Sequence, residues 1–184
     1  MASSGLSRPN GKTIDAAKLG YIGGGRKRGG GPRDMDIEAG RFTVGVFQDL
    51  AWAGRGVDAL KKQGLATEAL SILGKASPEL STFIEGQLGA PQSLEVKGLG
   101  SAMARGPLVA ALQGSDQGLS QIGLAGTMRR VGFQAHDGRI FDALTARGGV
   151  LVAIHSEPRA ADALAVLHSY GGGNAAIGAW SGRV

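Results

Sequence analysis

The alternation of apolar and polar residues becomes regular only after residue 41. Residues 42–46 alternate as a half-buried β-strand does. In the stretch that follows, Ala53, Val57 and Leu60 are spaced four and three residues apart, as the apolar face of an amphipathic helix requires. The pattern therefore predicts a strand followed directly by a helix.

The ends of this first helix carry residues that favour helix boundaries. The carboxylate of Asp49 is suited to cap the N-terminus, and Gly64 lies where a glycine commonly ends a helix. Residues 69–73 then predict a second strand. Ser77 is followed by a proline, which predicts the start of a further short helix.

A similar arrangement returns near the C-terminus. The stretch HDGRIFDALTARGG (residues 136–149) predicts a helix that ends at its glycine pair, and residues 150–155 (VLVAIH) predict a strand. After them, residues 157–170 predict a helix and residues 174–180 (NAAIGAW) a last strand. Because Val152 follows Val44 by 108 residues at equivalent strand positions, we interpret the two halves as an internal repeat.

The strand at residues 150–155 has a simple predicted geometry. Val150, Val152 and Ile154 are expected on one face of the sheet, and Leu151 and Ala153 on the other. His155 ends the strand.

Two β-α-β units in a chain of this size predict a mixed α/β (α+β) fold of the ferredoxin-like type, with one four-stranded sheet and helices on one face. The predicted domain covers residues 41–180, with halves at 41–75 and 138–180. Residues 76–137 are expected to form a Gly/Ala-rich helical insertion, with short helices at 104–113 and 117–129. Whether this insertion packs against a second copy or crosses the sheet as a loop stays open.

Composition separates an N-terminal extension from this domain. The 184 residues include 33 glycines, about twice the usual ~7% share. Residues 1–40 contain the stretch GYIGGGRKRGGGPRD and few large apolar side chains, which predicts a flexible basic extension. Residues 1–41 hold eight Lys or Arg and four Asp or Glu, so +4 of the net charge of +5 lies there.

The extension is the candidate region for contact with a partner. Arg26, Lys27, Arg28 and Arg33 lie among glycines, and such cations can neutralise the phosphates of a nucleic acid. Residues 8–33 are therefore a predicted contact for nucleic acid or the ribosome, and a solubilising tail is the alternative. The segment GLSRPNGKT has five residues between Gly5 and Gly11, where a phosphate-binding loop has four, so we interpret it as a chance similarity.

Cysteine content and hydropathy exclude several classes of protein. The chain has no cysteine, which excludes disulfides, thiolate zinc sites and cysteine nucleophiles. No apolar stretch reaches the roughly 18 residues of a membrane span, and the N-terminus lacks the apolar segment of a secretory signal. We therefore expect a cytoplasmic protein without a membrane span.

The residues that could support catalysis or metal binding are scattered. His136, His155 and His168 fall on different predicted elements and lack metal-ligand spacing. Trp52 and Trp180 are expected in the core or at an interface. The sequence thus predicts no catalytic residue, no metal site, no cofactor and no enzyme activity.

Four segments of the chain can be compared with a known family: the strand VGVFQD, the helix end ALKKQG, the segment GPLVAAL and the long stretch RIFDALTARGGVLVAIHSEPRAADALAVLHSYG. Together they resemble the bacterial heat-induced general stress protein (YflT-like) domain. The resemblance covers about residues 42–180, and its most specific part is GGVLVAI with its flanking helices. It implies a small cytoplasmic α/β protein linked to stress, with no catalytic residues to transfer. The ending GGGNAAIGAWSGRV departs from the charged strand that closes many members.

Two functions follow as hypotheses. The first is a non-enzymatic, general-stress-associated protein that acts through protein–protein contact or self-association, with its basic N-terminal arm docking to a partner. The alternative is a nucleic-acid- or ribosome-associated factor that binds through the basic Gly-rich tail.

Overall fold

An antiparallel sheet lies at the centre of the fold, in a computed structural model that describes residues 42–155 and 159–172. Within these residues the sheet has five strands in the order β1-β5-β2-β4-β3, and each strand is antiparallel to its neighbours. The strands are β1 (Phe42–Phe47), β2 (Leu70–Lys75), β3 (Gln92–Val96), β4 (Gly100–Arg105) and β5 (Val150–His155).

Helices cover both faces of this sheet. In the described part of the chain they are α1 (Leu50–Lys62), α2 (Pro78–Leu88), α3 (Pro107–Gln113), α4 (Gly118–Arg130), α5 (Ala135–Ala146) and α6 (Ala160–Ser169). One face packs against α1, α2 and α6, which we call the α1 layer. The other packs against α3, α4 and α5, which we call the α4 layer.

The helices nearest the N-terminus form where the sequence predicts them. The Oδ1 atom of Asp49 accepts a hydrogen bond from the Trp52 N–H at 2.9 Å, and Gly64 takes a positive φ of 77° just after α1. Ser77 caps α2 in the same way, because its Oγ accepts from the Leu80 N–H at 3.1 Å. Both predicted N-caps are confirmed.

The strand β5 lies between β1 and β2 and divides the core. Its alternating residues enter the two hydrophobic clusters as predicted: Val150, Val152 and Ile154 face the α1 layer, while Leu151 and Ala153 face the α4 layer. The second predicted strand is confirmed with shifted bounds, as β2 at Leu70–Lys75.

The α4 layer is attached to the sheet by buried polar contacts. Ser71, fully buried in β2, accepts a hydrogen bond through its Oγ from the Leu108 N–H at the start of α3 (2.9 Å). The helix α4 kinks at Gly123, where φ is 75°. The hydroxyl of Thr127 donates to the Gly123 carbonyl at 2.8 Å and so gives this carbonyl at the kink a hydrogen-bond partner.

Two predictions about the sheet are wrong. The described residues contain five strands, not four, because β3 and β4 form a hairpin inside the stretch that was predicted as a helical insertion. The buried residues of β4 are the small Ala102 and Ala104, which give no strong apolar signal in the sequence. Helices lie on both faces rather than one, because α3, α4 and α5 cover the face opposite α1 and α6.

The mixed α/β class is confirmed, but the ferredoxin-like duplication is not. Its second unit would need the predicted strand at residues 174–180, which lies outside the described residues. The helices predicted at 104–113 and 117–129 exist as α3 and α4, although residues 104–105 belong to β4. The predicted domain, residues 41–180, contains all of the described residues.

Candidate functional site

The clearest candidate surface is formed by Trp52 and Arg55 on α1, which we call the Trp52–Arg55 patch. Trp52 is 43% exposed, and the guanidinium carbon of Arg55 lies 4.6 Å from the centroid of its ring. A cation over an indole face at this distance is an attractive contact of about 0.5–1 kcal/mol at an exposed site. The two side chains therefore form one contiguous aromatic and cationic surface on α1.

The local sequence explains why this ring points outward. The apolar stripe of α1 consists of Ala53, Val57 and Leu60, all fully buried against the sheet. Trp52 precedes this stripe by one residue and is thus rotated by about 100° from it. The cap that Asp49 makes to the Trp52 N–H fixes the backbone of this first turn. The patch consequently lies on the capped first turn of a helix that packs against the sheet.

The exposure of Trp52 corrects part of the sequence interpretation, which placed it in the core or at an interface. The core reading is wrong. The offset between Trp52 and the stripe at 53, 57 and 60 was the signal that could have shown this. In the described part of the chain, Ile122 on α4, at 48%, is the other large apolar side chain that remains exposed. It belongs to the opposite layer.

A groove lies between α1 and α6. It encloses about 420 Å³ and is lined by Ala59, Lys62, Gln63, Ala165, Val166, Ser169 and Tyr170. Ala59 follows Trp52 by two helical turns and therefore lies on the same side of α1. The patch and the groove therefore lie on the same side of α1.

A second cleft lies where β1 ends and β5 begins. Its volume is about 410 Å³, and it is lined by Val46, Phe47, Gln48, Leu144, Arg147, Gly149 and Gly171. Gln48 and Arg147 are exposed polar side chains at this place. Among the described residues of this lining, Arg147 is the one that carries a charge, so they offer a single cation without a converging set of polar groups.

A third cleft has its basic group already engaged. It encloses about 440 Å³ and is lined by Thr67, Glu68, Leu70, Leu88, Gln92, Arg105 and Gly106. Arg105 donates from Nε to the Leu88 carbonyl (3.0 Å) and from Nη1 to the Ala90 carbonyl (2.8 Å). These bonds tie the end of α2 to β4, so Arg105 has a structural role here.

The three histidines lie on different elements. His136 stands at the start of α5, with Nε2 2.9 Å from the Asp137 carboxylate, and His168 lies exposed in the last turn of α6. His155 ends β5 and packs its ring 5.1 Å from that of Phe42. Within the described ranges, no three His, Asp or Glu side chains come together in a way that could hold a metal ion.

Two carboxyl groups have displaced pKa values. The pKa of Glu79 is lowered, chiefly because its carboxylate accepts a hydrogen bond from its own backbone N–H and, second, because of the Ser77 hydroxyl. The pKa of Asp142 on α5 is raised because partial burial disfavours its charged form. Both groups lie at helix surfaces outside the clefts, so we assign them no chemical role.

Several predicted residues lie outside the described part of the chain. They include the basic contact residues Arg26, Lys27, Arg28 and Arg33, the Gly5–Gly11 segment, and Trp180. For the residues that are described, no helix is both long and apolar enough to cross a membrane. Comparison of the chain with models of protein families, with curated proteins and with solved structures found no match.

Proposed function

We propose that this protein is a non-enzymatic, cytoplasmic binding protein that acts through contact with a partner protein or a second copy of itself, in connection with general stress. The Trp52–Arg55 patch is the observation that carries the binding part of this proposal. The link to stress rests on the resemblance of residues 42–180 to the heat-induced general stress protein domain. The ferredoxin-like duplication predicted from the sequence stays a proposal as well.

The composition of the patch supports a protein partner. Tryptophan and arginine are the residue types most enriched among those that dominate binding energy at protein interfaces. Trp52 would lose its remaining contact with water on binding, and burying apolar surface contributes about 25 cal/mol per Å². The capped first turn of α1 also means that little ordering is required on binding.

The groove on the same side of α1 offers additional surface area for a specific interface. A single exposed tryptophan covers less area than a stable interface buries, which is roughly 800 Å² on each partner. The groove between α1 and α6, with Lys62 and Tyr170 among its lining residues, lies on the same side of α1 and would add to the area of such an interface. We therefore expect the partner to lie along α1, with its own anchor at the indole ring.

Substitution of the two exposed apolar side chains tests this proposal. The full chain, tagged and expressed at its natural level, is isolated from cells before and after heating, and the co-purified proteins are quantified. Trp52→Ala is expected to reduce recovery of a stress-enriched partner at least about tenfold, in line with the loss of a dominant interface residue. Ile122→Ala, which alters the other layer, serves as the matched control and is expected to retain the partner.

The same preparations separate partner binding from self-association. Light scattering after size exclusion measures the mass of the wild-type chain and of Trp52→Ala across a range of concentrations. A dimer that dissociates in Trp52→Ala identifies the partner as a second copy. Equal recovery and equal mass for the wild type, Trp52→Ala and Ile122→Ala would contradict the proposal.

The charge distribution favours one second candidate, a nucleic-acid- or ribosome-associated factor. Residues 1–41 carry +4 of the net charge, with Arg26, Lys27, Arg28 and Arg33 among glycines. If they contact phosphates, log K falls linearly with log salt, and each lost contact lowers the slope by about one. Replacing Arg26, Lys27 and Arg28 with glutamine is expected to reduce this slope by about three. RNA binding that is unchanged by the replacement would contradict this candidate.

A further inference from the structure

The strand β3 lies at one edge of the described sheet, and most of its residues are exposed. Residues 92, 93 and 95 are exposed, and Leu94 is partly buried. On its inner side β3 pairs with β4 along its whole length. An edge strand whose outer backbone groups are open can pair with a strand of another chain. The outer side of β3 is therefore a candidate interaction surface.

The hairpin turn shows which backbone groups of β3 face outward. The Leu99 N–H donates to the Val96 carbonyl at 2.9 Å, so Val96 directs this carbonyl toward β4. The residues of an antiparallel strand alternate in direction, so Ser93 and Glu95 point their N–H and C=O groups away from β4. Among the described residues, no backbone hydrogen bond reaches these outward groups. They offer two positions at which a further strand can pair.

The charged residue of β3 leaves this edge open to pairing. Natural sheets commonly protect their edges with lysine, proline or inward-pointing charges. In β3 the charged residue is Glu95, which lies opposite Ser101 of β4, and its carboxylate accepts a hydrogen bond from the Ser101 hydroxyl. This bond holds the carboxylate over the sheet, away from the outward backbone groups.

The open part of the edge is short, because it is limited at both ends. Just after β3, the Lys97 N–H donates to the Leu119 carbonyl of α4 at 2.9 Å, so this N–H is already bonded. Just before β3, Pro91 has no N–H to donate. A partner strand therefore fits this edge if its own pairing also ends within a few residues of Leu94.

We propose that β3 pairs with β3 of a second copy of this chain, antiparallel and with a two-fold axis at Leu94. This register places Ser93 opposite Glu95 of the second copy, and each such pair exchanges both of its backbone hydrogen bonds. It also places Lys97, whose N–H is bonded to α4, opposite Pro91 of the second copy, which needs no acceptor. The limits of the open edge thus match each other in the symmetric pair.

The side chains across this junction are compatible. Leu94 packs against the core on the α4-layer face and lies beside Leu94 of the second copy, so two apolar side chains shield each other from water. On the other face, the Ser93 hydroxyl can donate to the Glu95 carboxylate of the second copy, because a carboxylate accepts several hydrogen bonds. No like charges lie directly opposite each other on β3. The pairing joins the two described sheets into one.

This contact is separate from the proposed function. The Trp52–Arg55 patch lies on α1, which packs beside β1 and β5, at the other edge of the described sheet from β3. A dimer formed through β3 therefore leaves both patches free, and two linked patches bind a multivalent partner more tightly than one. Because a short strand pair buries little area, we expect a weak dimer that depends on concentration.

Two substitutions of one exposed residue give opposite expectations for this dimer. Sedimentation of the full chain at concentrations up to about 1 mM measures the dissociation constant. Ser93→Glu places like charges opposite each other in both pairs and should raise the constant at least about fivefold, whereas Ser93→Lys places opposite charges there and should lower it at least about twofold. A wild type that stays monomeric over this range, or variants that do not change in these opposite directions, would overturn the proposal.

A third variant and a labelled mixture locate the contact. Trp52→Ala should keep the wild-type dissociation constant, and a dimer lost in Trp52→Ala would overturn this proposal while supporting self-association through the patch. In a mixture of labelled and unlabelled wild-type copies, we expect nuclear Overhauser contacts between the α-protons of Leu94 in the two copies, because such Cα atoms lie about 4.5 Å apart. A dimer without these contacts would equally contradict the pairing of β3.

Discussion

The α1 layer and the α4 layer cover opposite faces of one sheet, and they differ in what fixes their helices. In the α1 layer, α6 has no side-chain N-cap, but α1 and α2 follow Asp49 and Ser77, whose side chains accept hydrogen bonds from backbone N–H groups three residues later. In the α4 layer, none of α3, α4 and α5 has a side-chain N-cap. Their positions depend on contacts between residues that are distant in the chain, such as Ser71 and Leu108.

This difference indicates which helices are stabilised by residues of their own segment and which are stabilised by contacts with residues distant in the chain. A capped amphipathic helix tolerates substitution of its outer residues, because its start and its buried stripe are set within one segment. A helix placed by close backbone contact and a buried hydroxyl depends on atoms of another element. We therefore expect larger losses from small changes in the α4 layer than in the α1 layer.

The largest effect is expected for Gly106→Ala, just before α3. A methyl group there would lie 2.2 Å from the Leu70 carbonyl oxygen, and φ is 115°, a region that favours glycine. Backbone strain of about 1–3 kcal/mol adds to a similar cost of overpacking, so the free energy of unfolding should fall by roughly 3–5 kcal/mol. Urea unfolding followed by circular dichroism measures it.

A glycine of the α1 layer gives the control for this change. Gly86 in α2 has no atom within 4 Å of an added methyl group, so Gly86→Ala should stabilise the protein by about 0.5–1 kcal/mol. A similar decrease in the free energy of unfolding for Gly106→Ala and Gly86→Ala would contradict the proposed difference between the layers.

A smaller loss is expected for Ser71→Ala. The change leaves the buried Leu108 N–H without its acceptor, which costs about 1–3 kcal/mol. Ser93→Ala, on the exposed strand β3, is the matched control and should stay within about 0.5 kcal/mol of the wild type. If the two variants unfold at the same urea concentration, the hydrogen bond from the Leu108 N–H to Ser71 does not anchor α3.

The N-cap of α1 allows the corresponding test in the other layer. Asp49→Ala removes the acceptor for the Trp52 N–H and should cost about 1 kcal/mol. Asp58→Ala, on the exposed side of the same helix, removes a carboxylate without removing a cap. An equal loss of stability in Asp58→Ala would show that charge, not capping, explains the result.

The smallest effects concern pH, and their signs are opposite in the two layers. Burial raises the pKa of Asp142 above 3.8, so the folded state binds the carboxyl proton more tightly than the unfolded state does. The stability of the folded state therefore falls as pH rises through the folded pKa. The pKa of Glu79 is lowered below 4.5, so its contribution is present above 4.5 and is lost as pH falls through the folded pKa. Asp142→Asn should therefore gain stability at pH 7, and Glu79→Gln should lose it.

Thermal unfolding from pH 3 to pH 7 checks both signs. The difference between Asp142→Asn and the wild type should shrink toward pH 3, where the carboxyl is protonated in both states. A difference that is constant with pH would indicate a change in packing rather than in ionisation.

The same contrast explains what could be predicted from the sequence. The first helix and its cap follow from Asp49 and the spacing of Ala53, Val57 and Leu60, all within one short window. The hairpin of β3 and β4 could not be predicted in this way, because its buried side chains include small alanines and most of β3 faces water. In addition, no local sequence pattern predicts which face of the sheet a helix covers.

The candidate surface was only partly predictable. The sequence selects Trp52 as a residue of interest, but the position of Arg55 over its ring depends on side-chain conformation. The groove along α1 requires α6, which follows about 100 residues later in the chain. The four basic residues at 26–33 remain a prediction from composition alone.

The central place of β5 has a consequence for how the protein folds. This strand is the last of the described strands along the chain, yet it pairs with both β1 and β2, as in Val44 with Ala153 and Ile72 with Val152. The entropy of closing these long loops is lost before the pairs form, so contacts of this kind slow folding. We expect that residues 42–75 cannot form their native sheet alone during synthesis. Until β5 arrives, both neighbouring strands expose edges on which a chaperone could act.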